Sequence, residues 1–270
     1  MSAGEGIGAE QAAGPGAAGQ HELIVLAVLP ELLNTNGDAE NAAVLARRAQ
    51  WAGTPARVVA AEGASGLPAH ADLVVIGSGE DTALPATVER MAAFRPFLEH
   101  ALREGVPVLA VGTGWEALAR SIALPGAGTL PGLGLLAGDA VPGERVVGEI
   151  VVDSPRFGRL VGFENHQRGF VLAPADASAA APLGSVVSGR GNGAGGGGAA
   201  QEGMVAGSLI GTHLHGPLLA KNPAVADAML QAAFAARGQS YASGERSAAA
   251  DEIARAARER VLAALDLARP

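Results

Sequence analysis

Four short stretches of the sequence carry groups able to do chemistry. "NTNGDAEN" (residues 34–41) puts Gly37 and Asp38 in a turn just before a helical pattern, and such a turn can hold an anion or simply reverse the chain. "GSG" (77–79) follows an apolar run, so the backbone N–H groups of Gly77 and Gly79 are candidates for stabilising an oxyanion. "VLAVGTGWEALA" (108–119) has the form of a nucleophile elbow, a sharp strand-to-helix turn that lifts one side chain into a pocket. "GTHLHGP" (211–217) sets His213 and His215 two residues apart, as a general base or as half of a metal-binding pair.

The elbow is incomplete, because its tip, Gly112, has no side chain. A strained tip costs another residue type about 1–3 kcal/mol, and glycine avoids that cost. Thr113 brings a hydroxyl, but one step along a helix turns it roughly 100° away from the tip. A metal on His213 and His215 lacks an evident third ligand, and His166 in "FENHQRG" qualifies only if it lies near in space. No metal is expected. A histidine base, in turn, needs a nucleophile beside it.

Alternating elements must position these loops. "ELIVLAVL" (22–29), "ARVVAA" (56–61), "DLVVIGSG" (72–79) and residues 106–111 read as strands, with helices at 40–53 (closed by Gly53) and about 85–104 between them. Strands alternating with helices imply right-handed crossovers and a mostly parallel sheet, with ligands at the carboxyl ends of its strands. Further on, "ERVVGEIVVDS" (144–154) and "RLVGFENH" (159–166) look like an antiparallel pair. Residues 188–203 read as a flexible Gly-rich loop, and 204–219 as one strand ending in a polar loop. A helix over 222–238 has Asn222 as its expected N-cap, and an amphipathic helix covers about 247–267. The organisation expected is a disordered tail over 1–20, one domain over 21–240 and a C-terminal extension over 241–270.

Composition narrows the function. The chain has 270 residues, 49% of them hydrophobic, enough for a substantial core. It carries a net charge of −8 with scattered cations, so a nucleic-acid partner is not expected. Cysteine is absent, which excludes disulfides, thiolate metal sites and cysteine catalysis. The longest apolar stretch, residues 23–30, is too short to span a bilayer, and no basic leader precedes it. A cytoplasmic protein is expected.

Taken together, the loops resemble the class I glutamine amidotransferases of the CobB/CobQ-like branch, and within it the GatD-type glutaminase subunits of lipid II isoglutaminyl synthase. The resemblance runs from about Leu23 to Gly238. It rests on the opening strand with its Gly-Asp turn, on "GLGLL" (132–136), "VGFENH" (161–166) and "GNG" (191–193), and on "LIGTHLHGPLLAKNP" (209–223), all in order and spacing. It implies an α/β, flavodoxin-like three-layer fold whose mostly parallel central sheet is joined by antiparallel strands. It implies that an elbow cysteine attacks the glutamine side-chain amide, with His215 as base, Arg145 recognising glutamine, and Gly77 and Gly79 as oxyanion contacts. The implied partner is a Mur-ligase-like (MurT-type) catalytic subunit in a heterodimer. That partner would bind ATP and lipid II and amidate the D-glutamate of the peptidoglycan stem peptide; no cofactor belongs to this chain. The departure lies at the elbow, where Gly112 takes the cysteine position, Thr113 a glycine position, Glu116 a glutamine position and His213 a tyrosine position. The cysteine-dependent glutaminase step is therefore expected to be lost. The alternatives are a glutamine-binding or scaffolding pseudo-enzyme, or an amidotransferase of corrinoid biosynthesis.

Overall fold

The computed structural model describes residues 22–172, 180–193 and 200–267. The expected disordered tail over 1–20 lies outside them. Strand β1 (Leu23–Val28) is buried at all six positions, as an apolar run must be when both faces of its sheet are covered. Side chains alternate across the sheet, so Ile24, Leu26 and Val28 enter one core and Leu23, Val25 and Ala27 the other. Each fully buried aliphatic side chain contributes about 1.5–3 kcal/mol.

The first half continues through α1 (Glu40–Trp51), β2 (Ala56–Ala61), β3 (Leu73–Ile76), α2 (Leu84–Met91), α3 (Arg95–Arg103), β4 (Val108–Val111) and the short α4 (Thr113–Ala117). The second half is richer in strands: β5 (Ser121–Leu124), β6 (Gly128–Pro131), β7 (Gly138–Ser154), β8 (Gly158–Leu172), β9 (Ala180–Ala181), β10 (Gly184–Ser188), β11 (Gln201–Glu202), β12 (Met204–Ala206) and β13 (Leu209–Thr212). Helices α5 (Leu218–Lys221), α6 (Pro223–Ala236) and α7 (Glu245–Ala264) follow. One seven-stranded sheet runs β2-β1-β3-β4-β13-β12-β9. Its pairs from β2 to β13 are parallel, and β12 and β9 add antiparallel edges. The fold is thus the mixed α/β arrangement expected, with a second sheet in the order β11-β10-β7-β5-β6 and β8 paired to β7.

Several sequence readings change. The single helix expected over 85–104 is two, parted by a 3-10 turn at Ala92–Phe94, because Pro96 can only start a helix. The strand expected over 204–219 is a hairpin of β12 and β13. Asn222 stands at the N-cap position of α6, but its side chain makes no cap bond. Instead it accepts from Val161 N–H at 2.9 Å and donates to the Val161 carbonyl at 2.9 Å, acting as a stand-in strand partner for β8. The described parts of the Gly-rich loop are tied down by hydrogen bonds at both ends. The buried Glu164 carboxylate accepts Arg190 N–H at 2.9 Å and Gly191 N–H at 2.6 Å, and Asn192 exchanges two hydrogen bonds with Gly203. Residues 194–199 lie outside the described part.

Candidate active site

The loops after β1, β3, β4 and β13 leave neighbouring parallel strands at the same end, so the topology brings four of the sequence motifs to one edge. The elbow is real. Gly112 adopts φ 51° and ψ −124°, a region that side-chain-bearing residues rarely occupy. Its N–H donates to the Thr212 carbonyl at 2.8 Å, and its carbonyl accepts Glu116 N–H at 2.9 Å, pinning the tip between β13 and α4.

The space above the tip is filled. A Cβ built on Gly112 would stand 2.5 Å from Ser78 Oγ and 2.7 Å from His215 Cε1. In an elbow, the N–H following the tip and one from a neighbouring loop form the oxyanion hole. Here Thr113 N–H donates to Ser78 Oγ at 3.3 Å, and Gly79 N–H donates to Thr113 Oγ1 at 2.7 Å. Both donors are satisfied from within. Of the two glycines read as oxyanion contacts, Gly79 lines the cleft and Gly77 does not. Gly77 is glycine because any Cβ there would run into the Leu33 carbonyl.

His215 lies at the same tip, held by its own backbone N–H to the Phe163 carbonyl at 2.9 Å. Its Nδ1 is 2.6 Å from Asp38 Oδ2, and both side chains are fully buried. Asp38 Oδ1 also accepts Gly216 N–H at 3.2 Å. Asp38 thus orients the candidate base, a role the sequence left unassigned because the Gly-Asp pair also reads as a plain turn. In the tautomer whose Nδ1 proton faces Asp38, Nε2 is the acceptor, and Nε2 is buried with no hydrogen-bond partner among the described residues.

The two histidines of the last motif diverge. His213 is buried between Glu116 and Glu202, with ring nitrogens 3.5 and 3.8 Å from their carboxylates, and its ring stacks on His166 at 4.1 Å. Burial opposes its charge, but the two flanking carboxylates outweigh burial and raise it to about 9. Glu116 also receives Arg168 Nε at 2.7 Å, and Arg168 in turn pairs with Asp81. Burial opposes the Glu116 charge too, yet His213 and Arg168 hold its carboxyl below the usual range. His166 is therefore near His213, as part of a charged core. Among the described residues no group of three or more His, Cys, Asp or Glu is placed to hold a metal.

Arg145 sits in the bulge of β7 between Pro142 and Val146, and its guanidinium donates to the Asn165 side-chain oxygen. It lines a cavity of about 250 Å³ together with Ser78, Gly79, Gly112, Thr113 and Glu116. The structure therefore brings Arg145, Gly79 and Gly112 to one cleft, with His215 buried against the Gly112 tip and Gly77 absent from the lining.

The order of these loops is that of a known domain. Residues 24–223 match the model of the CobB/CobQ-like glutamine amidotransferase domain. The chain belongs to that family. A curated relative from Staphylococcus aureus N315, lipid II isoglutaminyl synthase (glutamine-hydrolyzing) subunit GatD, is 30% identical over 220 residues, covering 81% of this chain and 87% of the relative. The subunit of the same name from Streptococcus pneumoniae R6 is 26% identical over 206 residues, 75% of this chain and 76% of the relative. Among solved structures, a glutamine amidotransferase aligns with a TM-score of 0.53 at 17% identity, covering 77% of this chain and 98% of its own. A putative GMP synthase protein from Thermoplasma acidophilum aligns at 0.51 with 13% identity, covering 81% and 97%. These two structures share the fold. Within the family this chain is a GatD-like amidotransferase subunit. No helix among the described residues is long and apolar enough to cross a membrane.

Proposed function

We propose that this chain serves as the amidotransferase subunit of a lipid II isoglutaminyl synthase-type complex, with its cysteine–thioester route closed. The observation that carries this reading is the Asp38–His215 pair standing at an elbow in a GatD-like chain. The catalytic partner would be a Mur-ligase-like subunit that binds ATP and lipid II and activates the D-glutamate carboxyl, in the cytoplasm. Arg145 is the proposed grip on the glutamine carboxylate, because a guanidinium can hold a carboxylate by two parallel hydrogen bonds. Gly79 is the proposed oxyanion donor, although Thr113 now takes its N–H.

Gly112 supplies no nucleophile, and a thioester needs a thiolate. That gap favours a second reading, a binding subunit that supports its partner without cysteine turnover. The test is to purify the chain with a Mur-ligase-like protein from the same organism and follow lipid II amidation with ATP and ammonium. A stable pair that amidates faster with this chain than without it is expected. Absence of association, or an unchanged rate, overturns the proposal.

A further inference from the structure

We propose that Ser78, on the loop after β3, is the nucleophile of this site, activated by His215 and Asp38. The reading builds on the glutamine-site assignment above and concerns only how the amide is opened. The room that a side chain at position 112 would occupy is taken by the Ser78 hydroxyl: an added Cβ would lie 2.5 Å from Ser78 Oγ, 2.9 Å from Ser78 Cβ and 2.7 Å from His215 Cε1. Ser78 and the edge of the His215 ring therefore face the same point from two sides. Ser78 is buried and lines the cavity that holds Gly112 and Arg145. His215 Nε2 is buried and without a partner among the described residues, while Asp38 orients the ring from behind at 2.6 Å. An oriented histidine beside a hydroxyl is the arrangement that activates serine elsewhere, on unrelated folds and in any chain order. The proposal requires rotation about the Ser78 Cα–Cβ bond to bring Oγ from its contact with Thr113 within reach of Nε2.

Thr113 fits the same scheme. Its Oγ1 accepts Gly79 N–H at 2.7 Å, while its own proton has only long partners, the Gly79 carbonyl at 3.3 Å and Ser78 Oγ at 3.3 Å. That hydroxyl can turn to a developing oxyanion, polarised by the N–H behind it. The reaction balances without a co-reactant other than water. Ser78 Oγ attacks the carbonyl carbon of a primary amide, and its proton passes to His215 Nε2. The C–N bond breaks as that proton moves to nitrogen, ammonia leaves, and an acyl ester remains on Ser78. Water then attacks the ester and gives a proton to Nε2. The ester C–O bond breaks, the proton returns to Oγ, and the free acid departs. The substrate class is a small primary amide bearing a carboxylate for Arg145, glutamine first among them.

The probe is the γ-(4-nitrophenyl) ester of glutamate, given to the full chain. It should release a burst of nitrophenolate and leave a γ-glutamyl group on the Ser78 peptide, located by mass spectrometry. Ser78→Ala should abolish burst and adduct, and His215→Gln should slow acylation by about 10²–10⁴-fold. Ser78→Cys should retain the adduct, which guards against mistaking a folding defect for a chemical one. No burst in the wild type and in Ser78→Cys, or an adduct that survives Ser78→Ala, overturns the assignment. Association with the Mur-ligase-like partner is measured on the same preparations. A failed burst with association intact removes Ser78 and leaves the reading as a complex component standing.

Discussion

At the level of single residues, the groups around the elbow tip fit one another closely. The side chain missing at Gly112 leaves no hole, since Ser78 and His215 close over it. Restoring the cysteine alone therefore meets a collision and two occupied oxyanion donors. Gly112→Cys is expected to add no glutamate release above wild type. Gly112→Cys combined with Ser78→Gly and Thr113→Gly should exceed the single variant by about 10²-fold, the usual worth of a restored oxyanion donor. Glutamate release from glutamine measures both; a single variant as active as the combination would show that the cleft has room after all. The elbow and His215 were legible in the sequence because each has a local signature. Asp38 was not, because its partner is 177 residues away and its own signal is that of any turn. Ser78 escaped notice for a related reason: filling a neighbour's space is a relation in three dimensions, without a sequence pattern.

Elements rather than residues decide where the C-terminal helix rests. Arg48, on α1, is buried and reaches Asp227 of α6 at 2.7 Å and Asp251 of α7 at 2.7 Å. Asp227 also accepts the Tyr241 hydroxyl at 2.7 Å, so the approach to α7 is tied to the same carboxylate. The body of α7 buries only Ser247 and Ala254, which makes this polar staple a main attachment. Arg48→Met should cost about 2 kcal/mol, less than a fully buried pair, because Asp251 keeps access to water. Hydrogen exchange should show the loss of protection concentrated over 245–264; unchanged exchange there would deny the staple its role. Helices and the central strands were readable from periodicity. Of the second sheet the antiparallel β7–β8 pair was readable too, but its short strands were not, since β5 and β10 are held by pairing with β7, and β6 and β11 only by pairing with those two.

For the molecule as a whole, the charged core sets the response to pH. Glu202 of β11, His213 after β13, Glu116 of α4 and Arg168 of β8 form one buried series joining both sheets. His213 is raised from 6.5 to about 9, so its contribution is complete below 6.5 and lost as pH climbs through 9. Glu116 and Glu202 are lowered from 4.5, Glu202 because His213 outweighs the burial that opposes its charge, so their contributions are present above 4.5 and lost as pH falls through the depressed values. Thermal unfolding across pH should show a shoulder of highest stability between about 4.5 and 6.5, with a decline toward 9 that Glu116→Gln flattens. A profile insensitive to Glu116→Gln would place the alkaline decline elsewhere. The family pattern made the glutamine and tyrosine positions visible in the sequence, but only burial reveals that their replacements neutralise one another. The sheet order carries a further consequence. β4 is flanked by β3 and β13, and the whole of β5 to β12 separates β4 from β13 along the chain. During synthesis on the ribosome, β4 emerges early and waits for about a hundred residues to be added before its second neighbour exists. Its apolar edge stays open to pairing with other nascent chains throughout that interval, and the Asp38–His215 contact closes only when the delay ends.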